Sequence, residues 1–98
     1  MNVAELRASL DRVEPPAEAD PCVQALWFAA KGEWGRAHEI AQAESGPQGA
    51  WVHAHLHRIE GDLHNAGYWY RQAGRPVSAE PLEAEWDAMA ATLLAEGR

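Results

Sequence analysis

Glycine and proline residues interrupt this 98-residue chain at short intervals. The interruptions lie at Pro15-Pro16, Gly32, Gly46-Pro47, Gly61 and Gly74. Between them apolar residues recur every three or four positions, as Leu6, Leu10 and Val13 do, which is the spacing of one face of an α-helix. No segment alternates apolar and polar residues over the length of a strand. The sequence therefore predicts an all-α fold, a compact bundle of about six helices.

Capping residues mark the starts of several predicted helices. Asn2 followed by Glu5 has the pattern of a capping box, and Asp62, directly after Gly61, is expected to cap the second helix of hairpin two. Asp20 before Pro21 is typical of a helix start, because aspartate caps the free N–H groups and proline in the first turn loses no hydrogen bond. We expect a single domain over residues 1–98. Its parts are an N-terminal helix over 1–13, hairpin one over 21–45, hairpin two over 48–74 and a C-terminal helix over 79–95.

The two central hairpins carry the same pattern at an offset of 29 residues. The matched pairs are Gly32 with Gly61, Ala25 with Ala54, and Ala37 with Ala66. In such a unit the alanines let two helices approach, the glycine makes the turn, and a bulky residue two positions later, Trp34 or Leu63, fills the corner. Over residues 20–75 this pattern resembles the tetratricopeptide repeat (TPR), although the usual period is about 34 residues. The resemblance implies two TPR-like hairpins, capped by the terminal helices, that bind a protein or peptide.

A second resemblance concerns hairpin two alone. Residues 53–71 are similar to a motif in a family of small bacterial and fungal proteins that has no assigned activity. This resemblance singles out the hairpin without naming a ligand.

Charge and composition exclude several classes of function. The formal net charge is −7, and the excess of acidic residues lies in residues 1–20 and 80–98, so the chain repels nucleic acid. No stretch approaches the roughly 18 to 20 apolar residues of a membrane span. Residues 1–5 lack the features of a signal peptide. With a single cysteine, Cys22, no internal disulfide forms, and we expect a cytoplasmic protein without nucleic-acid or membrane partners.

Hairpin two contains a candidate metal site. His53 and His57 are four residues apart, so both project from one side of a helix, and Glu60 follows three residues later. Two imidazoles and a carboxylate at this spacing are suitable ligands for one metal ion, and His64 or His38 would complete the set. The alternative is that His53 belongs to a structural polar cluster and hydrogen-bonds Asn65 or Tyr68.

The same hairpin offers a candidate small-molecule site. Arg58, Asn65, Tyr68 and Trp69 lie close in sequence to the histidines, and an aromatic and arginine-lined pocket suits a small anion or a peptide carboxylate. The alternative is that the arginines form surface ion pairs. The pairs would join Arg58 and Arg71 to Glu60 and Asp62.

Trp51 and His55 lie on the opposite face of the same helix, where repeats of this kind present residues to a partner. We expect them to line a shallow apolar groove for a peptide, or a homodimer contact. The alternative is that a terminal helix covers this face.

The sequence contains none of the common catalytic motifs. We therefore predict a non-enzymatic TPR-like module without a cofactor that binds a protein or peptide. The first alternative is a metal or small-molecule site built on His53, His57 and Glu60. The second is a small enzyme that uses the same histidines as acid and base.

Overall fold

The computed structural model describes residues 1–96, which form six α-helices and no strand. The helices are α1 (Val3–Ala8), α2 (Pro21–Ala30), α3 (Trp34–Ala43), α4 (Pro47–Glu60), α5 (Leu63–Ala73) and α6 (Leu82–Glu96). The predicted all-α bundle of about six helices is confirmed, and the last two residues of the predicted domain lie outside the described part. None of these six helices is both long and apolar enough to cross a membrane.

The predicted caps are present at three helix starts. Asn2 and Glu5 form a reciprocal capping box, in which each side chain accepts a hydrogen bond from the other residue's backbone N–H, at 2.8 and 2.9 Å. The Asp20 carboxylate accepts hydrogen bonds from two N–H groups in the first turn of α2. The Asp62 carboxylate caps α5 through one such hydrogen bond, which it accepts from the Asn65 N–H. Local sequence therefore sets these boundaries.

The N-terminal helix is shorter than the predicted span of 1–13. α1 ends at Ala8 and continues as a single 3₁₀ turn over Ser9–Asp11. The Ser9 hydroxyl donates to the Leu6 carbonyl at 2.6 Å and accepts from the Trp27 indole at 3.0 Å, so it ties this turn to α2. Val13, which the helical pattern placed inward, is 83% exposed.

The two central hairpins consist of α2 with α3 and α4 with α5. The four alanines predicted at the helix crossings are at most 1% exposed. Gly32 and Gly61 make the turns with φ of +79° and +83°, in the left-handed region that only glycine enters without strain. The corner residues differ, because Trp34 is half-buried and donates to the Leu56 carbonyl at 2.7 Å whereas Leu63 is 68% exposed. The prediction that Leu63 fills a corner is wrong.

Helix α6 lies across α2 and α4 and also contacts α1. The buried Trp86 indole donates to the Leu26 carbonyl of α2 at 2.8 Å. Arg7 of α1 forms a two-point salt bridge to Asp87, at 2.7 and 2.9 Å. As a result α6 covers one face of α4 and leaves the opposite face, which holds His53 and His57, against α3 and α5.

Candidate functional site

Three histidines from two helices meet on the α3 side of α4. His53 and His57 lie one turn apart on α4, and His38 reaches them from α3. Each offers one ring nitrogen, and the three nitrogens lie within 4.8 Å of one another. We call these three residues the histidine triad.

Each ring of the triad is held by a neighbour. The His38 ring stacks on Trp34 at 4.7 Å between ring centroids, and the His53 ring stacks on Trp69 at 3.9 Å. The Nδ1 atom of His57 lies 3.3 Å from the Glu60 carboxylate. A hydrogen bond donated by Nδ1 leaves the other ring nitrogen, Nε2, with its lone pair free.

The triad is mostly buried, and burial favours the neutral form of two of its rings. His53 is 6% exposed and His57 7%. Burial, together with the neighbouring His38 and His57 rings, lowers the pKa of His53 to about 4. Burial also lowers the pKa of His38. Neutral imidazoles are the form that ligates metal ions, so no proton has to leave these two rings first.

The triad forms one wall of an open cleft of about 700 Å³ between α3, α4 and α5, which we call the His cleft. Its other lining side chains include Gln42, Glu44, Trp69 and Gln72. This volume is within the range of small-molecule sites in proteins.

The predicted ligand-binding residues divide between this cleft and other places. His53, His57, Asn65 and Trp69 line the cleft. Tyr68 is outside the lining and 43% exposed, with its ring against the Trp69 edge. The expected hydrogen bond from His53 to Asn65 or Tyr68 is absent among residues 1–96, where His53 has only ring contacts.

Glu60 lies beside His57, as the sequence predicted, and its carboxylate is placed for either of two roles. It hydrogen-bonds His57, and it also belongs to a second group of potential ligands, His57, Glu60 and Asp62. Both carboxylates of that group are exposed, whereas the triad is mostly buried.

Arg58 points away from the His cleft, toward α6. Its guanidinium donates to the Glu85 carboxylate at 2.8 Å and to the Glu80 carbonyl at 2.7 Å. The prediction that Arg58 lines the ligand site, and the alternative that it pairs with Glu60 or Asp62, are both wrong. The physical reason is that α6 brings a buried carboxylate to the opposite face of α4.

Glu85 is the centre of a buried polar network that the sequence did not predict. It is 4% exposed and accepts hydrogen bonds from Arg58, from His55 Nδ1 at 2.7 Å and from the Tyr70 hydroxyl. Burial alone would raise the pKa of Glu85, but the hydrogen bonds from His55, Tyr70 and Arg58 outweigh it and hold the pKa below its usual value. A sequence signal was present, since Glu85 precedes Met89 and Leu93 at four-residue intervals, on what is the buried face of the C-terminal helix.

The expected partner groove at Trp51 and His55 is not on the surface. Trp51 is 8% exposed and His55 2%. The Arg75 guanidinium lies 3.7 Å from the centre of the Trp51 ring, and His55 is bonded to Glu85 of α6. The expectation of an exposed groove at these two residues is therefore wrong, and the alternative that a terminal helix covers this face is correct.

Comparison with family models, with curated proteins and with solved structures gave no match for this chain. The TPR-like resemblance therefore stays a prediction, and the site is interpreted from its own geometry.

The buried His53 ring makes stability depend on pH. Its pKa is about 4 in the folded chain against an ordinary 6.5, so the unfolded chain takes up this proton more readily. The contribution of His53 to stability is therefore fully present well above pH 6.5 and is lost as the pH drops through 6.5 toward 4. Between pH 7 and pH 5 we expect a loss of about 2 kcal/mol in the free energy of unfolding, measured by urea titration with EDTA present.

The matched variants for this measurement are His53→Gln and His64→Gln. Glutamine occupies the equivalent position in hairpin one, Gln24, and does not titrate. His53→Gln removes most of the loss between pH 7 and pH 5, whereas substitution of the exposed His64 retains it. An unchanged loss in His53→Gln contradicts the assignment.

Proposed function

We propose that the protein binds a first-row transition metal ion, zinc foremost, through His38, His53 and His57. The observation that supports this proposal is the approach of three ring nitrogens to within 4.8 Å of one another, from two separate helices. Three imidazole nitrogens are a donor set that zinc sites use.

The donor chemistry of the triad selects the metal. Imidazole nitrogen suits zinc, copper and nickel, whereas magnesium and calcium prefer oxygen ligands. Nitrogens bound to one tetrahedral zinc ion lie about 3.3 Å apart, given Zn–N bonds of about 2.0–2.1 Å. Binding therefore contracts the triad by small side-chain rotations, because the backbones of α3 and α4 already place the rings together.

Glu60 has the position of an outer partner in this arrangement. A carboxylate that accepts a hydrogen bond from His57 Nδ1 orients the ring and strengthens Nε2 as a ligand. The competing group, His57, Glu60 and Asp62, uses the same histidine, so a single ion occupies one group or the other. The triad is favoured because two of its rings are held by Trp34 and Trp69, whereas the two carboxylates are exposed and that of Asp62 already caps α5.

The non-enzymatic protein- or peptide-binding module remains a second proposal. Two helical hairpins support it, but the side chains chosen to carry it, Trp51 and His55, are covered by α6 and Arg75. A partner would have to contact other residues, and so would the second copy in a homodimer.

Titration of metal-free protein with Zn²⁺ against a chromophoric chelator tests the metal proposal. We expect one ion per chain. Replacing His38 or His57 with glutamine weakens zinc binding by about 100-fold or more, since loss of an outer partner alone costs about 10- to 100-fold. At about 100 times its Kd, zinc raises the free energy of unfolding by about 2.7 kcal/mol.

Two control variants make this titration specific. His64→Gln removes an exposed histidine outside the triad and leaves zinc affinity unchanged. Asp62→Asn keeps the capping of α5 but removes one carboxylate of the competing group, and it also leaves zinc affinity unchanged. The proposal is overturned if zinc does not bind, if His64→Gln weakens binding as much as His57→Gln, or if Asp62→Asn weakens it while His38→Gln does not.

A further inference from the structure

We propose that a metal ion on the histidine triad keeps one coordination position open to the His cleft, and that this position binds the carboxylate of a small anion. This inference rests on the proposed function, and its test separates the failure of one from the failure of the other. Three lines of observation support it.

The first observation is the number of protein ligands. Within residues 1–96, the group that converges at this point has three members, all of them histidines. Glu44 lines the same cleft but does not belong to that group. Zinc prefers four ligands, and sites with three protein ligands hold water or an outside molecule at the fourth position. The triad therefore has the layout of an exchangeable metal site and not that of a closed structural one.

The second observation is the balance of charge. Neutral imidazoles leave both positive charges of a divalent ion uncompensated among its direct ligands, and the Glu60 carboxylate reaches the site only through His57. Glu44 is the one acidic side chain that lines the cleft along the described chain, and the amides of Gln42, Asn65 and Gln72 are uncharged. A cleft with this balance attracts a monoanion more strongly than a neutral molecule of the same shape.

The third observation is the start of α4, which lies in the same cleft at Gly46 and Pro47. No side chain caps this 14-residue helix, so the positive end of its dipole remains uncompensated. Further along α4, the ring of His53 is 6% exposed and has no hydrogen-bond partner among residues 1–96, yet it lines the cleft. The ring nitrogens of His53 are thus available to a metal ion in this cleft, and the uncapped helix start beside them favours an anionic ligand.

Cobalt-loaded protein tests this inference, because bound Co²⁺ reports its ligands through its visible absorption. We expect sodium acetate to change the Co²⁺ spectrum saturably, whereas acetamide, which has the same shape and no charge, leaves it unchanged at equal concentration. The Glu44→Gln variant lacks the one acidic group that lines the cleft, so we expect it to bind acetate more tightly than the parent chain does.

A second ligand, N-acetyl-glycyl-glycine, distinguishes two sources of the carboxylate. Tighter binding than acetate indicates a peptide C-terminus, and weaker binding indicates a free small anion.

The outcomes are distinct. If Co²⁺ does not bind, the metal proposal itself fails. If Co²⁺ binds but acetate leaves its spectrum unchanged, or acetamide changes it equally, the open anion position is wrong while the metal site stands. Acetate affinity that falls or stays constant in Glu44→Gln contradicts the charge argument.

Discussion

Replacing Glu85 with alanine is expected to lower the free energy of unfolding by about 3–5 kcal/mol. Glu85 is 4% exposed, and it accepts hydrogen bonds from Arg58, His55 and Tyr70. Its removal leaves a largely buried arginine charge and two further polar groups without their common partner. Since a domain of this size has about 5–15 kcal/mol of stability in total, this one carboxylate accounts for a large share of it.

Urea unfolding followed by tryptophan fluorescence measures this effect. Glu83→Ala is the matched control, because Glu83 is exposed on the first turn of the same helix, and we expect a change within about 0.5 kcal/mol. Glu85→Gln keeps the shape and part of the hydrogen bonding, so its loss is smaller, about 1–3 kcal/mol, and it remains measurable if the alanine variant does not fold. Equal stability of Glu83→Ala and Glu85→Ala would show that the network contributes nothing.

A second comparison separates the cost of an unpaired buried charge from the loss of packing. Burying a charge costs solvation, so an apolar replacement of the charged pair Glu85 and Arg58 is expected to recover stability that the single change loses. We expect Glu85→Met combined with Arg58→Met to be more stable than Glu85→Met alone, because no unpaired guanidinium remains beneath α6.

The sequence predicts the parts of this fold that depend on local chemistry. Asp20 and Asp62 cap the helices they precede, and Gly32 and Gly61 make the hairpin turns, because in each case residues within one turn decide the backbone conformation. The proximity of the His53 and His57 rings likewise follows from their four-residue spacing along one helix. These features need no knowledge of how one helix lies on another.

The parts that the sequence did not predict depend on the packing of distant elements. Arg58 and Glu85 are 27 residues apart, and only the placement of α6 on α4 brings them to 2.8 Å. The same placement buries Trp51 and His55, which helical periodicity alone leaves on a free face. His38 was one of two candidates to complete the triad, and the crossing of α3 over α4 selects it over His64, which stays exposed.

The crossing that brings His38 to the triad depends on Gly49, and its replacement by alanine is the second large effect that we expect. A β-carbon at Gly49 would lie 2.3 Å from the Glu44 carbonyl oxygen, far inside contact distance, and both atoms belong to the junction of α3 and α4. Because backbone must move to admit the methyl group, we expect Gly49→Ala to lower the free energy of unfolding by about 2–3 kcal/mol. The shift also moves α3 relative to α4, so zinc affinity falls together with stability.

Gly67→Ala provides the matched control for this prediction. Gly67 lies in the middle of α5, where an added β-carbon meets only the flexible Arg71 side chain at an ordinary 3.7 Å. Alanine is the better helix former, so here we expect a gain of about 0.5–1 kcal/mol with unchanged zinc affinity. The same change from glycine to alanine is thus expected to lower the free energy of unfolding at Gly49 and to raise it at Gly67. Urea unfolding measures both changes. If Gly49→Ala also stabilises the chain, the close approach of α3 and α4 is wrong, and with it the geometry that places His38 beside His53.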